Sequence, residues 1–178
     1  LQTTDPNLIA LKNLVYTGQQ YASDADENNL TYNLTVAYKP TKRINAYGTF
    51  STAFKPVGVN VAGLPTVNGQ AATDLAVIKH IEAGIKTTPV DDFILNFTFY
   101  NTDIRDYQTN VQSPELGVNR GYIANAEQVR VKGAEIETSL RAGNKFSFYG
   151  SAAYTDAQYV KFTNAPLPLE ETGNTLNN

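Results

Sequence analysis

Apolar and polar residues alternate along this chain in runs of about ten, and such runs recur. Residues 30–39 set Tyr32, Leu34, Val36 and Tyr38 on one side, with Thr31, Asn33, Thr35 and Ala37 on the other. Residues 92–102 set Phe93, Leu95, Phe97 and Phe99 against Asn96, Thr98, Tyr100 and Thr102. Successive side chains of a strand point to opposite faces, so each run reads as a strand with one oily and one wet face. A tilted strand of about 9–11 residues crosses a bilayer. The pattern therefore predicts an all-β, antiparallel transmembrane β-barrel segment.

Six strands are expected, at roughly 30–39, 43–54, 76–87, 92–107, 121–141 and 145–158, with a weaker one near 11–22. No long stretch keeps a 3.6-residue apolar period, so no helix is expected. Three connections are hairpin-sized and rich in turn residues: Pro40-Thr41-Lys42, Thr88-Pro89-Val90-Asp91 and Ala142-Gly143-Asn144. The others, near 55–75, 108–120 and 159–178, are long. Outer-membrane barrels alternate in this way, with the short turns on the periplasmic side. A soluble sandwich, with strands of about 5–6 residues, fits these lengths less well.

Charge agrees with this arrangement. Residues 44–54, 93–102 and 146–155 carry no charged side chain. On the other strands Glu82 shares its side with His80, Gly84 and Lys86, opposite Val77, Ile81, Ala83 and Ile85. Glu135 and Glu137 alternate with Ala134, Ile136, Thr138 and Leu140. His80, Glu82, Glu135 and Glu137 are thus expected to face a wet lumen. Three basic residues fall on the oily parity: Lys79, Arg130 and Lys132. At about 2.5 Å of rise per tilted residue, Lys79 sits roughly 20 Å above its turn, near the top of a ~25 Å apolar band. Arg130 and Lys132 are expected at headgroup level, within reach of the phosphates of outer-membrane lipid or lipopolysaccharide.

Composition narrows the chemistry. The chain has 178 residues, a net charge of −3, one histidine and no cysteine, methionine or tryptophan. Nothing basic enough for nucleic acid stands out. Neither a thiolate site nor a multi-histidine metal site can be built from these residues. No nucleophile–base pair is apparent, so no catalytic residue, metal or cofactor is expected. No run approaches the ~18 apolar residues of a membrane helix, which leaves a barrel open, because barrel strands hide their oil on alternate positions. Both ends read as cut, and six strands fall short of the 8 that a transmembrane barrel needs. The chain is expected to be part of a longer protein.

Five short motifs then fall in one order. Phe54-Lys55-Pro56-Val57-Gly58-Val59-Asn60 resembles the Phe-Lys-Pro-Gly-Gly-x-Asn that ends a strand in TonB-dependent receptors. His80-Ile81-Glu82-Ala83-Gly84-Ile85-Lys86 is similar to their Glu-x-Gly-x-Lys strand, and the run from Phe99 to Gln108 to their Phe-Tyr-x-x-x-Tyr-x-Asp-Tyr-Gln segment. Lys132-Gly133-Ala134-Glu135-Ile136-Glu137 and then Tyr154-Thr155-Asp156-Ala157-Gln158-Tyr159 complete the series. Val57 stands where the family has a glycine and Ile104 where it has an aromatic. The resemblance implies a barrel of about 22 strands, closed by an N-terminal plug and energised by TonB. The whole of residues 1–178 would belong to that barrel domain, in its C-terminal half, with no plug in this segment.

The function this implies is import of a scarce nutrient across a Gram-negative outer membrane, with a ferric siderophore first among ligands. The alternatives are a glycan or peptide importer working with a surface lipoprotein, and a scaffold subunit of an outer-membrane complex. The lumen acids read first as partners of Arg or Lys on neighbouring strands or the plug. The oily-side aromatics Tyr32, Tyr38, Phe50, Phe54 and Phe93 read as lipid contacts and interface girdles. Ligand contacts are expected at the outer mouth, where a rigid barrel positions its loops. Tyr107, Gln108, Asn110, Asn119, Arg120 and Tyr122 flank one long loop, and Tyr159, Lys161 and Phe162 another.

Overall fold

The computed structural model describes residues 4–15, 26–60, 72–112, 121–163 and 165. A helix, α1 (Pro6–Val15), comes first. Six strands follow: β1 (Asn33–Thr41), β2 (Ile44–Lys55), β3 (Ala76–Val90), β4 (Phe93–Gln112), β5 (Gly121–Ala142) and β6 (Phe146–Lys161). They form one sheet in the order β1-β2-β3-β4-β5-β6, every neighbouring pair antiparallel.

The helix corrects the expectation of a weak strand near 11–22 and of no helix. Its start is encoded locally. Asp5 Oδ1 accepts the Asn7 amide at 2.8 Å, the Asp5 carbonyl accepts the Ile9 amide at 2.9 Å, and Pro6 takes the first helical position. An aspartate cap followed by proline is a helix-start signal that apolar periodicity overlooks. The rest of 11–22 lies outside the described residues.

Two hairpins are tighter than expected, because strands run into the predicted turns, and the third shifts by one residue at unchanged length. Lys42-Arg43, Asp91-Asp92 and Gly143-Asn144-Lys145 make the connections, with Asp92 in the left-handed region at φ 62°. Pro40 and Pro89 fall in the two stretches where the register shifts, Tyr38 to Thr41 and Thr87 to Val90. A residue with no amide to donate is tolerated there. At the opposite, upper end β4 runs to Gln112 and β6 to Lys161, beyond 107 and 158. The Gln-Thr-Asn-Val-Gln stretch reads as loop by composition, yet Gln108 pairs with Asn125 and Gln112 with Gly121.

Register brings the oily positions into line. Val36, Gly48, Ala83, Phe99, Ala134 and Tyr154 share one rung, and Ala46, Ile85, Phe97, Ile136 and Ala152 share another. Among the described residues no second layer covers this side. Leu34 is 62% exposed, Phe99 60% and Phe148 60%, and no large side chain is fully buried among the described residues. Phe93, Leu95 and Phe97 are only half-buried. Among the described residues the buried apolar ones are Ala76, Val111, Ala126 and Val129, none of them on the oily band.

The oily band slants across the ladder. Its outward apolar positions run from Ile44 to Phe54 on β2 and from Phe146 to Tyr154 on β6. Ile44 shares a rung with Gly150, so the lower edge drops four residues from β2 to β6. Phe54 stands six residues above Gly48, which shares the rung of Tyr154, so the upper edge drops six. At ~3.3 Å per residue and ~4.8 Å per strand, that slide makes an angle of about 35–45° with the rungs.

Candidate functional site

The polar face is built around two tyrosines laid over glycines. Tyr47 is paired with Gly84, and a Cβ on Gly84 would stand 2.6 Å from the ring. With no Cβ there, the ring crosses the neighbouring strand. Its hydroxyl donates to Glu82 Oε1 at 2.8 Å and lies 3.3 Å from Thr98 Oγ1, while Lys86 Nζ stands 5.5 Å from the ring centre. Tyr100 repeats the arrangement over Gly133, with its hydroxyl 2.8 Å from Thr155 Oγ1. His80 stacks on Tyr100 at 6.3 Å, places Nδ1 2.8 Å from Thr102 Oγ1 and Nε2 3.5 Å from Glu82 Oε2. Asn96 donates to Glu137 at 3.5 Å, and Glu135 shares the rung of Thr98. These contacts lock side chains along a polar wall. Among the described residues there is no cluster of three or more His, Cys, Asp or Glu suited to a metal.

At the upper end, side chains stitch the β2–β3 connection to the sheet. Gln108 is 5% exposed, and its Nε2 donates to the carbonyls of Pro56 at 2.6 Å and Asp74 at 3.1 Å. Asn60, also 5% exposed, exchanges two bonds with Ile123: Nδ2 to the carbonyl at 2.9 Å, and the Ile123 amide to Oδ1 at 2.7 Å. Asn125 accepts the Asp74 amide at 2.8 Å and donates to the Asp106 carbonyl at 2.6 Å. Asp106 itself interrupts β4 at φ 54°. Burial pushes its carboxyl above the usual carboxylate range, with Asp74 and Glu127 adding repulsion and Arg105 offsetting part of it.

The expected mouth residues separate into groups. Tyr107, Tyr159 and Phe162 come together, Tyr159 edge-on to Tyr107 at 6.2 Å and stacked with Phe162 at 5.4 Å. Tyr159 is exposed, and its hydroxyl lies 3.4 Å from Thr109 Oγ1. Lys161 Nζ stands 3.8 Å from Glu127, whose carboxylate also accepts the Thr163 amide and hydroxyl. Asn110 is exposed and paired with Ile123; Tyr122 is half-buried, and burial raises its hydroxyl above the usual phenol range. Gln108 is committed to backbone carbonyls. Asn119 and Arg120 lie outside the described residues. Sequence reasoning missed Asn60 and Asn125, whose signal is a side-chain amide beside a long connection, and Asp74, which takes part through its backbone and carries no such signal.

The oily face ends at its upper edge in charge. Lys79, Asp103 and Arg130 share a rung, and Arg130 Nε meets Asp103 Oδ1 at 2.9 Å. Above them Val77, Arg105 and Gln128 share the next outward rung; below, Lys132 Nζ reaches Asp156 at 3.5 Å. Arg105 is the basic residue of this cluster that alternation alone did not single out.

The chain's alternating sheet and ordered motifs define a barrel wall, and its sequence matches the family model "TonB dependent receptor-like, beta-barrel" over residues 6–178. The protein belongs to that family, one of receptors and transporters. It is 23% identical over 158 residues to a probable TonB-dependent siderophore receptor, PiuA, of Acinetobacter baumannii, a match covering 85% of this chain and 20% of the relative. Its fold is similar to that of the alcaligin outer-membrane receptor FauA from Bordetella pertussis (TM-score 0.52, 15% identity, 80% of this chain and 25% of that one). It is also similar to the siderophore receptor PirA from Acinetobacter baumannii (TM-score 0.50, 15% identity, 79% and 24%). The chain thus spans a fifth to a quarter of the length of these relatives.

Proposed function

We propose that this chain is wall and mouth of an outer-membrane receptor that imports a ferric siderophore, driven by TonB. The observation that carries this reading is the single-layer sheet with an exposed oily band on one face and a hydrogen-bonded polar wall on the other. The oily band spans eleven residues on β2 and nine on β6, about 20–25 Å at the rise of a tilted strand, which fits the ~25 Å apolar belt of outer-membrane barrels. Its slant supports the same reading: a band lying flat in a bilayer needs strands tilted by about 35–45°, the range of barrels. The siderophore is suggested by the relatives, which include siderophore receptors, and TonB by the family.

The segment performs no covalent chemistry in this reading. The plug and the TonB-contacting region belong to other parts of the protein, and residues 1–178 to one barrel domain. Exposed Tyr159, with Tyr107 and Phe162 beside it, offers the ligand an aromatic shelf at the outer mouth, flanked by Asn110, Tyr122 and Lys161. Gln108 acts there by fixing the connection above it.

The test is uptake of iron-55 carried by a panel of purified siderophores into iron-starved cells. Deleting the gene is expected to abolish uptake of one ferric siderophore, and loss of TonB to do the same. Normal uptake of every panel member in both strains contradicts the proposal.

A further inference from the structure

We infer that the charged upper edge of the oily face is a binding site for the phosphates of a phosphorylated glycolipid in the outer leaflet. The inference rests on the outer-membrane reading above. Its first support is position. Lys79 is the next outward residue above Ile81, Lys132 the next above Ala134, and Asp156 the next above Tyr154. These charges therefore begin on β3, β5 and β6 where the oily band stops, the level at which acyl chains give way to headgroups. On the hydrocarbon side of that line a basic residue costs about 2–4 kcal/mol at midplane.

Its second support is charge. Lys79, Arg105, Arg130 and Lys132 converge on three adjacent strands, against Asp103 and Asp156. Arg130 and Lys132 have acidic partners at 2.9 and 3.5 Å. Lys79 and Arg105 are exposed and form no ion pair among the described residues, which leaves their charged ends open to a ligand. The third support is shape. Val77, Lys79, Asp103, Arg105, Gln128 and Arg130 line a depression of about 260 Å³ on this face. A guanidinium binds phosphate through two parallel bonds and an ammonium as a point charge, so the site holds both modes. Gln128 and Arg130 donate to Asp103 Oδ1 at 3.4 and 2.9 Å and Asn101 to Oδ2 at 2.9 Å, so both carboxylate oxygens already have donors other than Lys79. A bilayer lipid is the occupant because the depression opens on the oily face rather than into the polar wall.

The experiment is native mass spectrometry of the full-length receptor in detergent, titrated with bis-phosphorylated lipid A, its dephosphorylated form, or inorganic phosphate. The variant is Lys79→Gln/Arg105→Gln/Lys132→Gln, which leaves the Arg130–Asp103 pair in place. A basic residue near an anionic surface is worth roughly a fivefold change in affinity, so the triple variant is expected to bind bis-phosphorylated lipid A on the order of 100-fold more weakly. Lys79→Arg/Lys132→Arg is expected to bind like the parent. Equal binding of the two lipid A forms, an unaffected triple variant, or binding of inorganic phosphate without lipid overturns the inference. Outer-membrane fractionation and heat-modifiable gel mobility of each protein separate the two readings. A correctly inserted barrel indifferent to lipid phosphate sinks this inference alone, and a protein outside the membrane sinks both.

Discussion

Tyr47 and Tyr100 reach across to neighbouring strands only because Gly84 and Gly133 offer no Cβ. The two sites differ in what surrounds that missing atom. At Gly84 the nearest atoms all belong to the Tyr47 ring, a side chain that can swing aside and forfeit its bond to Glu82. At Gly133 the Tyr154 backbone carbonyl crowds the same space as the Tyr100 hydroxyl, and a backbone atom cannot turn away. Overfilling a packed position costs about 1–3 kcal/mol. Gly84→Ala is expected near the lower end of that range and Gly133→Ala near the upper, read from urea unfolding of the protein in detergent micelles. Equal stability of both variants and parent would remove the tyrosine–glycine packing from the account. Strand glycines were visible in the sequence, but their partners were not, because pairing across strands depends on a register that one strand does not carry.

Elements were readable where the period was long and failed where local chemistry decided. The cores of β2 to β6 follow from alternation, since one wet and one oily face leave a strand little choice. The helix Pro6–Val15 depends on a capping side chain at Asp5, and the upper reaches of β4 and β5 depend on pairing between polar stretches with no alternation to announce them. Those upper reaches are held to the β2–β3 connection by Gln108, Asn60 and Asn125. A buried amide that loses its partners leaves carbonyls unsatisfied at about 1–3 kcal/mol. Gln108→Ala is therefore expected to speed hydrogen exchange at the Gly58 and Thr73 amides, both bonded within that connection, by roughly 10-fold or more. Exchange along the middle of β3 is expected to stay slow. Unchanged exchange at Gly58 and Thr73 would show that Gln108 does not hold the connection. The backbone contacts of Gln108 were not legible in the sequence, since a polar residue beside a long loop looks the same whether it meets ligand or backbone.

On the scale of the whole chain, one geometric fact organises the rest: residues of one parity look out onto an exposed oily surface, and residues of the other form a hydrogen-bonded polar wall. That much follows from alternation and charge placement. The slant of the oily band, the pairing of Arg130 with Asp103 and the convergence of Arg105 on Lys79 emerge only when six strands are set side by side. Because the chain contains no cysteine, single cysteines report position without a background. The decisive measurement is a cysteine scan of β4 from Leu95 to Tyr100 in the membrane-embedded protein, reading reaction with a water-soluble maleimide and quenching of an attached fluorophore by lipids brominated along their acyl chains. The account predicts strict alternation, with Asn96→Cys, Thr98→Cys and Tyr100→Cys reacting and unquenched, and Leu95→Cys, Phe97→Cys and Phe99→Cys shielded from the maleimide and, once labelled before reconstitution, quenched. Uniform reactivity along the strand, or an inverted pattern, would contradict it.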